Sequence, residues 1–218
     1  MSDKIVFYFD FGSPNAYLAY KVVPTIEARL GPVFEMKPAL LGGIFKATGN
    51  QSPAVTLAGV PAKAAYERKE TDRFIAKHGL DKYRFNPAFP INTLQMMRGA
   101  VLAKRLGVFE PYVAAIYAGM WEQALNLGEP EVFLGVLGAA GLPRQDFVDH
   151  IGDADVKADL IAGTEEAVAR GVFGSPAFFV GDEQFFGKDR LREVEEAFVR
   201  QRDGEQMPLP RRKSGPRS

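Results

Sequence analysis

The chain has no cysteine in 218 residues. That excludes disulfides, thiolate metal centres and a cysteine nucleophile, and it fits a reducing compartment. Histidine is almost as scarce. His78 and His150 are the only two and stand far apart in sequence, which disfavours a histidine zinc site or a Ser–His relay. Neither sign of charge predominates, with 27 Lys and Arg against 27 Asp and Glu, so no net field argues for nucleic acid or a membrane surface. No stretch approaches the roughly 18 apolar residues of a membrane span. The apolar run Ile5 to Phe9 is flanked by Asp3, Lys4 and Asp10 and is too short for a signal-peptide core. These absences predict a cytoplasmic protein with no nucleic-acid and no membrane partner.

What remains is an ordinary globular composition, 46% hydrophobic and 25% charged, long enough for one large domain or two small ones. The unbroken apolar run at Ile5–Phe9 predicts a strand buried on both faces. A helix over Pro14 to Leu30 follows, with Leu18, Val22, Ile26 and Leu30 on one stripe, a kink at Pro24 and a left-handed cap at Gly31. Val33 to Leu40 reads as a second, parallel strand. Leu41 to Pro61, rich in Gly, Pro, Ser and Thr, reads as mostly loop. Helices are then expected at Ala62–Lys77, Asn92–Leu106, Glu110–Asn126, Glu131–Ala140, Pro143–Ile151 and Asp153–Arg170. Strand signals return as a hairpin, Ala177 to Val180 and Gln184 to Phe186 about a Gly181-Asp182 turn. A last helix covers Asp189 to Arg200, burying Leu191, Val194 and Phe198.

Neither β segment can cover a sheet alone. Joined, they predict an α/β fold with a thioredoxin-like mixed four-stranded sheet and a large all-helical insertion. The expected boundaries are 1–40 and 171–203 for the discontinuous sheet domain and 41–170 for the insertion. A basic tail at 204–218, carrying Arg211, Arg212, Lys213 and Arg217, is expected to be disordered.

Ser13-Pro14 at the strand-to-helix turn is a common helix start, serine as cap and proline as first helical residue. It is also an anion site, because a hydroxyl and free N–H groups meet at the positive end of a helix. In a thioredoxin-type chain the first catalytic cysteine would stand at this position. A serine cannot exchange disulfides, but it can stabilise a thiolate brought in from outside. No histidine or lysine in the motif could activate Ser13 as a nucleophile.

Three stretches carry a resemblance: Phe9-Asp10-Phe11-Gly12-Ser13-Pro14 with Tyr17; Thr164-Glu165-Glu166-Ala167-Val168 through Gly171-Val172-Phe173-Gly174-Ser175-Pro176; and Phe186-Gly187-Lys188-Asp189-Arg190-Leu191. Asn86-Pro87 to Asn92-Thr93 adds to them. Together the chain resembles, over residues 4–200, the glutathione-dependent 2-hydroxychromene-2-carboxylate isomerases, relatives of kappa-class glutathione transferases and DsbA-like oxidoreductases.

The resemblance implies glutathione as cofactor, a small aromatic substrate and a homodimer. It implies a catalytic Ser13 at the glutathione sulfur. Ser175 and a cis Pro176 would pair with the tripeptide backbone, and Phe186, Gly187, Lys188, Asp189 and Arg190 would receive its γ-glutamyl end. The Asp189 carboxylate would meet the amine there, with Asp189 doubling as a helix cap and Arg190 orienting it. On the substrate side, Lys46 is the only lysine between Pro38 and Ala62 and so the candidate to hold a pyruvate-type carboxylate. Phe45 is the alternative for that place, Asn50 a second candidate and Phe89 a wall for an aromatic ring. The implied reaction is reversible thiolate addition and elimination around a rotating bond, with no net redox change and no metal. Conjugation of electrophiles, as in the kappa transferases, and a non-catalytic glutathione-binding module are the rival readings. A disulfide oxidoreductase is excluded, because Ser13-Pro14-Asn15-Ala16 holds no thiol.

Overall fold

The computed structural model describes residues 4–57 and 59–204. Four strands form one mixed sheet in the order β2-β1-β3-β4. They are β1 (Ile5–Phe9), β2 (Phe34–Pro38), β3 (Ala177–Val180) and β4 (Glu183–Phe186). β1 runs parallel to β2, and β3 is antiparallel to both β1 and β4. All five residues of β1 are buried, as a central strand with two covered faces requires.

Helix α1 (Pro14–Leu30) lies in one piece between β1 and β2 and buries Leu18, Val22 and Ile26. It runs through Pro24, which has no N–H to give the Tyr20 carbonyl. Gly31 ends it at positive φ (84°) but with extended ψ, so the expected left-handed cap is not formed. The helices α2 (Leu41–Thr48), α3 (Pro53–Thr56), α4 (Pro61–His78), α5 (Leu94–Arg105), α6 (Phe109–Trp121), α7 (Pro130–Ala139), α8 (Arg144–His150) and α9 (Ala154–Ala169) follow before the hairpin. A 3-10 turn at Lys188–Arg190 then leads into α10 (Leu191–Arg202).

Two expectations fail here. The stretch expected to be loop contains α2 and α3. One of the glycines that argued against helix serves a close approach: a Cβ on Gly43 would lie 3.0 Å from the Thr164 methyl of α9. Helix α6 ends at Trp121, five residues short of the expected end. The Asn86 side chain takes over there, donating to the carbonyls of Met120 (2.9 Å) and Leu125 (2.8 Å). The basic tail lies outside the described residues from position 205 on.

The core is continuous across the expected domain boundary. Ile5, Phe7, Phe9 and Phe178 from one sheet face pack with α1, α10 and the buried Met96, Tyr112, Tyr117, Trp121 and Phe133 of the helical block. The opposite face buries Val6, Tyr8 and Phe179 against Ile44 of α2 and Ala167 of α9. The insertion therefore completes the sheet's covering on both sides.

Candidate functional site

The turn between β1 and α1 delivers Ser13 as the helix cap. Its Oγ accepts from Ala16 N at 3.1 Å and donates to the Ser175 carbonyl at 2.8 Å. Only 5% of the residue is exposed. Pro14 has no N–H, and the Asn15 N–H finds no acceptor among the described residues, so one donor at the positive end of α1 stands open beside the hydroxyl. The Ser175–Pro176 peptide is cis, as the resemblance implies. The Ser175 hydroxyl accepts from Asp10 N at 3.1 Å. The Phe89–Pro90 peptide is also cis, which the sequence reading does not anticipate.

Asp10 is the group that sequence reasoning missed. It is fully buried. Its Oδ1 accepts from Gly12 N (2.8 Å) and its Oδ2 from Leu41 N at the head of α2 (2.7 Å). Burial pushes its carboxyl up, while these two amides and the Thr93 side chain pull it back. The Tyr117 hydroxyl, beneath, has no hydrogen-bond partner among the described residues. Burial, and then the Asp10 charge, push that phenol well up. A signal for Asp10 was present in the sequence: an acid ending an otherwise apolar strand, two residues before a glycine.

At the γ-glutamyl end the expected residues come together in altered roles. Gly187 N donates to the Pro176 carbonyl at 3.0 Å, tying this turn to the Ser175 loop. Lys188 is only 4% exposed; its Nζ lies 2.9 Å from each oxygen of Asp189 and 5.0 Å from the centre of the Phe74 ring. It therefore holds Asp189 from beneath instead of reaching outward. The Asp189 side chain remains 63% exposed. Two expectations are corrected. Asp189 sits inside the 3-10 turn and caps no helix, its carboxylate being engaged by Lys188. Arg190 pairs with Glu193 at 2.8 Å and so does not orient Asp189. Phe186 packs against Phe173 with centroids 4.4 Å apart and the rings tilted by 41°; a Cβ on Gly174 would come within 2.9 Å of the Phe186 ring.

The substrate-side residues are more scattered. Asn50 donates through Nδ2 to the Phe173 carbonyl at 2.7 Å, so its amide links the helical block to the Ser175 loop and is not free. Lys46 is exposed in the last turn of α2, with half-buried Phe45 beside it. Phe89 packs 6.2 Å from the Trp121 ring, and the Trp121 Nε1–H donates to the Phe11 carbonyl at 2.8 Å, next to the Ser13 turn. A separate cavity of about 350 Å³ opens at the β2 edge, lined by Phe34, Glu35, Met36, Lys104, Gly107, Phe109 and Glu110. None of the expected site residues lines it. There Lys104 Nζ donates to the Met36 carbonyl at 2.8 Å.

A DSBA-like thioredoxin domain model matches residues 4–199. The chain belongs to that family. It is 28% identical over 191 residues, 88% of this chain and 95% of the other, to a 2-hydroxychromene-2-carboxylate isomerase of Sphingobium xenophagum. It is 25% identical to the glutathione S-transferase kappa 1 of Caenorhabditis elegans, covering 99% of this chain and 97% of that one. Its fold matches the solved structure of a 2-hydroxychromene-2-carboxylate isomerase with a TM-score of 0.78 at 25% identity, over 92% of this chain and 98% of that chain. No described helix is long and apolar enough to cross a membrane.

Proposed function

We propose that the protein is a glutathione-dependent isomerase interconverting 2-hydroxychromene-2-carboxylate and trans-o-hydroxybenzylidenepyruvate. One observation carries this reading: in a chain with no thiol, the Ser13 hydroxyl sits at the mouth of α1 between the Ser175 carbonyl and Ala16 N. Similarity to proteins named for that isomerisation supports the substrate class. The set of donors and acceptors fits a small thiol peptide: an open N–H, an exchangeable hydroxyl, a loop carbonyl and an exposed carboxylate anchored from below.

When bound, glutathione supplies a thiolate whose reversible addition to a conjugated carbon makes the double bond single, lets it rotate, and is undone by elimination with no net redox change. The chain's own groups do the rest. The Ser13 O–H turns from the Ser175 carbonyl toward the sulfur and, with Asn15 N–H and the α1 dipole, favours the anionic form. The released Ser175 carbonyl and its N–H pair with the extended tripeptide, as a strand edge would. Asp189, held by Lys188, meets the ammonium, and N–H groups around Gly187 face the carboxylate. Lys46, or Phe45 in its place, meets the substrate carboxylate end, Phe89 walls the ring, and Asn50 fixes the Ser175 loop through the Phe173 carbonyl. Ser13 itself makes no covalent bond, since no described histidine or lysine is hydrogen-bonded to it.

The test is spectrophotometric. Purified protein with reduced glutathione should convert the chromene carboxylate, and omission of glutathione should stop it; an unchanged spectrum at saturating glutathione would falsify the proposal. A kappa-type transferase is the second reading, favoured by a match that spans 99% of the chain. Conjugation of chlorodinitrobenzene much faster than the isomerisation would select it.

A further inference from the structure

Among the groups around Ser13, the Asp10 carboxylate is the most completely enclosed, and the mechanism above gives it no part. Its polar neighbours come from three separate segments. Gly12 N, in the turn that delivers Ser13, and Leu41 N, at the head of α2, donate to it, and the Thr93 side chain at the head of α5 pulls its carboxyl down. Its own backbone adds two more ties, N–H to the Ser175 hydroxyl and carbonyl to Ser13 N, each at 3.1 Å. One residue thus joins the Ser13 turn, the Ser175 loop and two helix starts of the insertion. A buried carboxylate is costly unless its lone pairs are met. Here the cost has a geometric reason. Several donors converge on one point, and only a group with two acceptor oxygens and no hydrogen takes them all. A carboxamide of the same shape would turn its own N–H against Gly12 or Leu41.

We infer that Asp10 is a positioning residue for the thiol site: its carboxylate clamps the helical block to the Gly12–Ser13 turn and so keeps the Ser13 hydroxyl and the Asn15 N–H aimed at the bound sulfur. The inference rests on the glutathione reading. It makes a prediction opposite to that of simple charge. A nearby carboxylate disfavours a thiolate, so if Asp10 acted by its charge alone, its removal would lower the thiol pKa. If it acts by positioning, its removal raises it.

The experiment compares the full-length wild type with Asp10→Asn and Thr93→Val. Each is titrated with reduced glutathione by calorimetry, the ionisation of the bound thiol is followed by thiolate ultraviolet absorbance, and amide exchange is read at Gly12 and Leu41. Expected for Asp10→Asn is exchange at least about tenfold faster at both amides than in wild type, with β1 unchanged. A bound-thiol pKa higher by about one unit, or tenfold less thiolate near neutral pH, should accompany it. Thr93→Val should move both in the same direction by less. A bound-thiol pKa that falls or stays put in Asp10→Asn overturns the inference. Should Asp10→Asn fail to fold, Thr93→Val decides by the same two readouts, and wild-type behaviour in both overturns it. Wild-type protein that does not bind glutathione sinks the functional reading instead. The clamp then stands or falls on the exchange at Gly12 and Leu41 alone.

Discussion

The two walls of the candidate site are built differently. The wall made by the β1–α1 turn and the Ser175 loop is buried and cross-tied: Ser13 to Ser175, Asp10 to Gly12, Leu41 and Ser175, Trp121 to Phe11. The wall made by α2, α3 and α4 is open. Lys46, Val55, Val60 and Tyr66 are exposed, α3 buries nothing, and α4 buries only Phe74. Rigid, satisfied polar networks hold a group in one geometry. Sparsely buried segments open at low free-energy cost. Under the proposed function, the first wall is the one that holds the sulfur anion and the second the one that accepts the aromatic substrate.

That contrast can be broken by mutation. The largest effect should come from Trp121→Ala, which removes a fully buried indole and the bond to the Phe11 carbonyl. A loss of about 4 kcal/mol is expected in urea unfolding. Next, Asn86→Ala leaves the Met120 and Leu125 carbonyls without their donor and should cost about 2–3 kcal/mol by the same measurement. Ser13→Ala should lower turnover with glutathione about a hundredfold. Its folding cost should be only that of a helix cap, about 1 kcal/mol, so a loss confined to stability would count against the thiolate site. Asp189→Ala should weaken glutathione about tenfold in calorimetry, and unchanged affinity would move the γ-glutamyl site elsewhere. On the open wall, Lys46→Ala and Val55→Ser should each change stability by no more than about 0.5 kcal/mol. Lys46→Ala should raise the KM for a carboxylate substrate while leaving glutathione affinity alone. Equal penalties on both walls would erase the comparison.

The first wall was the more legible of the two in the sequence, for a local reason. Strand, turn, cap and helix at 5–30 are contiguous, and each residue's propensity agrees with its neighbours'. What the sequence concealed was long-range. Asp10 looked like a strand-ending acid because its partners stand at positions 41, 93 and 175. Lys188 was expected to face the γ-glutamyl end directly, because nothing nearby in sequence reveals that Phe74 lies against it. Gly43 looked like loop because the neighbour that rewards a bare Cα, Thr164, lies in another helix. The early end of α6 followed from a side chain 34 residues upstream. Substrate-side residues were the least legible, since an exposed lysine at a helix end reads the same whether or not anything binds it.

Lys104 has a bearing on how the molecule meets its neighbours. β2 is a margin of the sheet, and a margin normally offers a row of unpaired carbonyls and amides to any extended chain that drifts past. By laying its ammonium on the Met36 carbonyl, Lys104 occupies an acceptor that such a strand would need and leaves a cation in its path. The protein thereby discourages fibril-like stacking along that border.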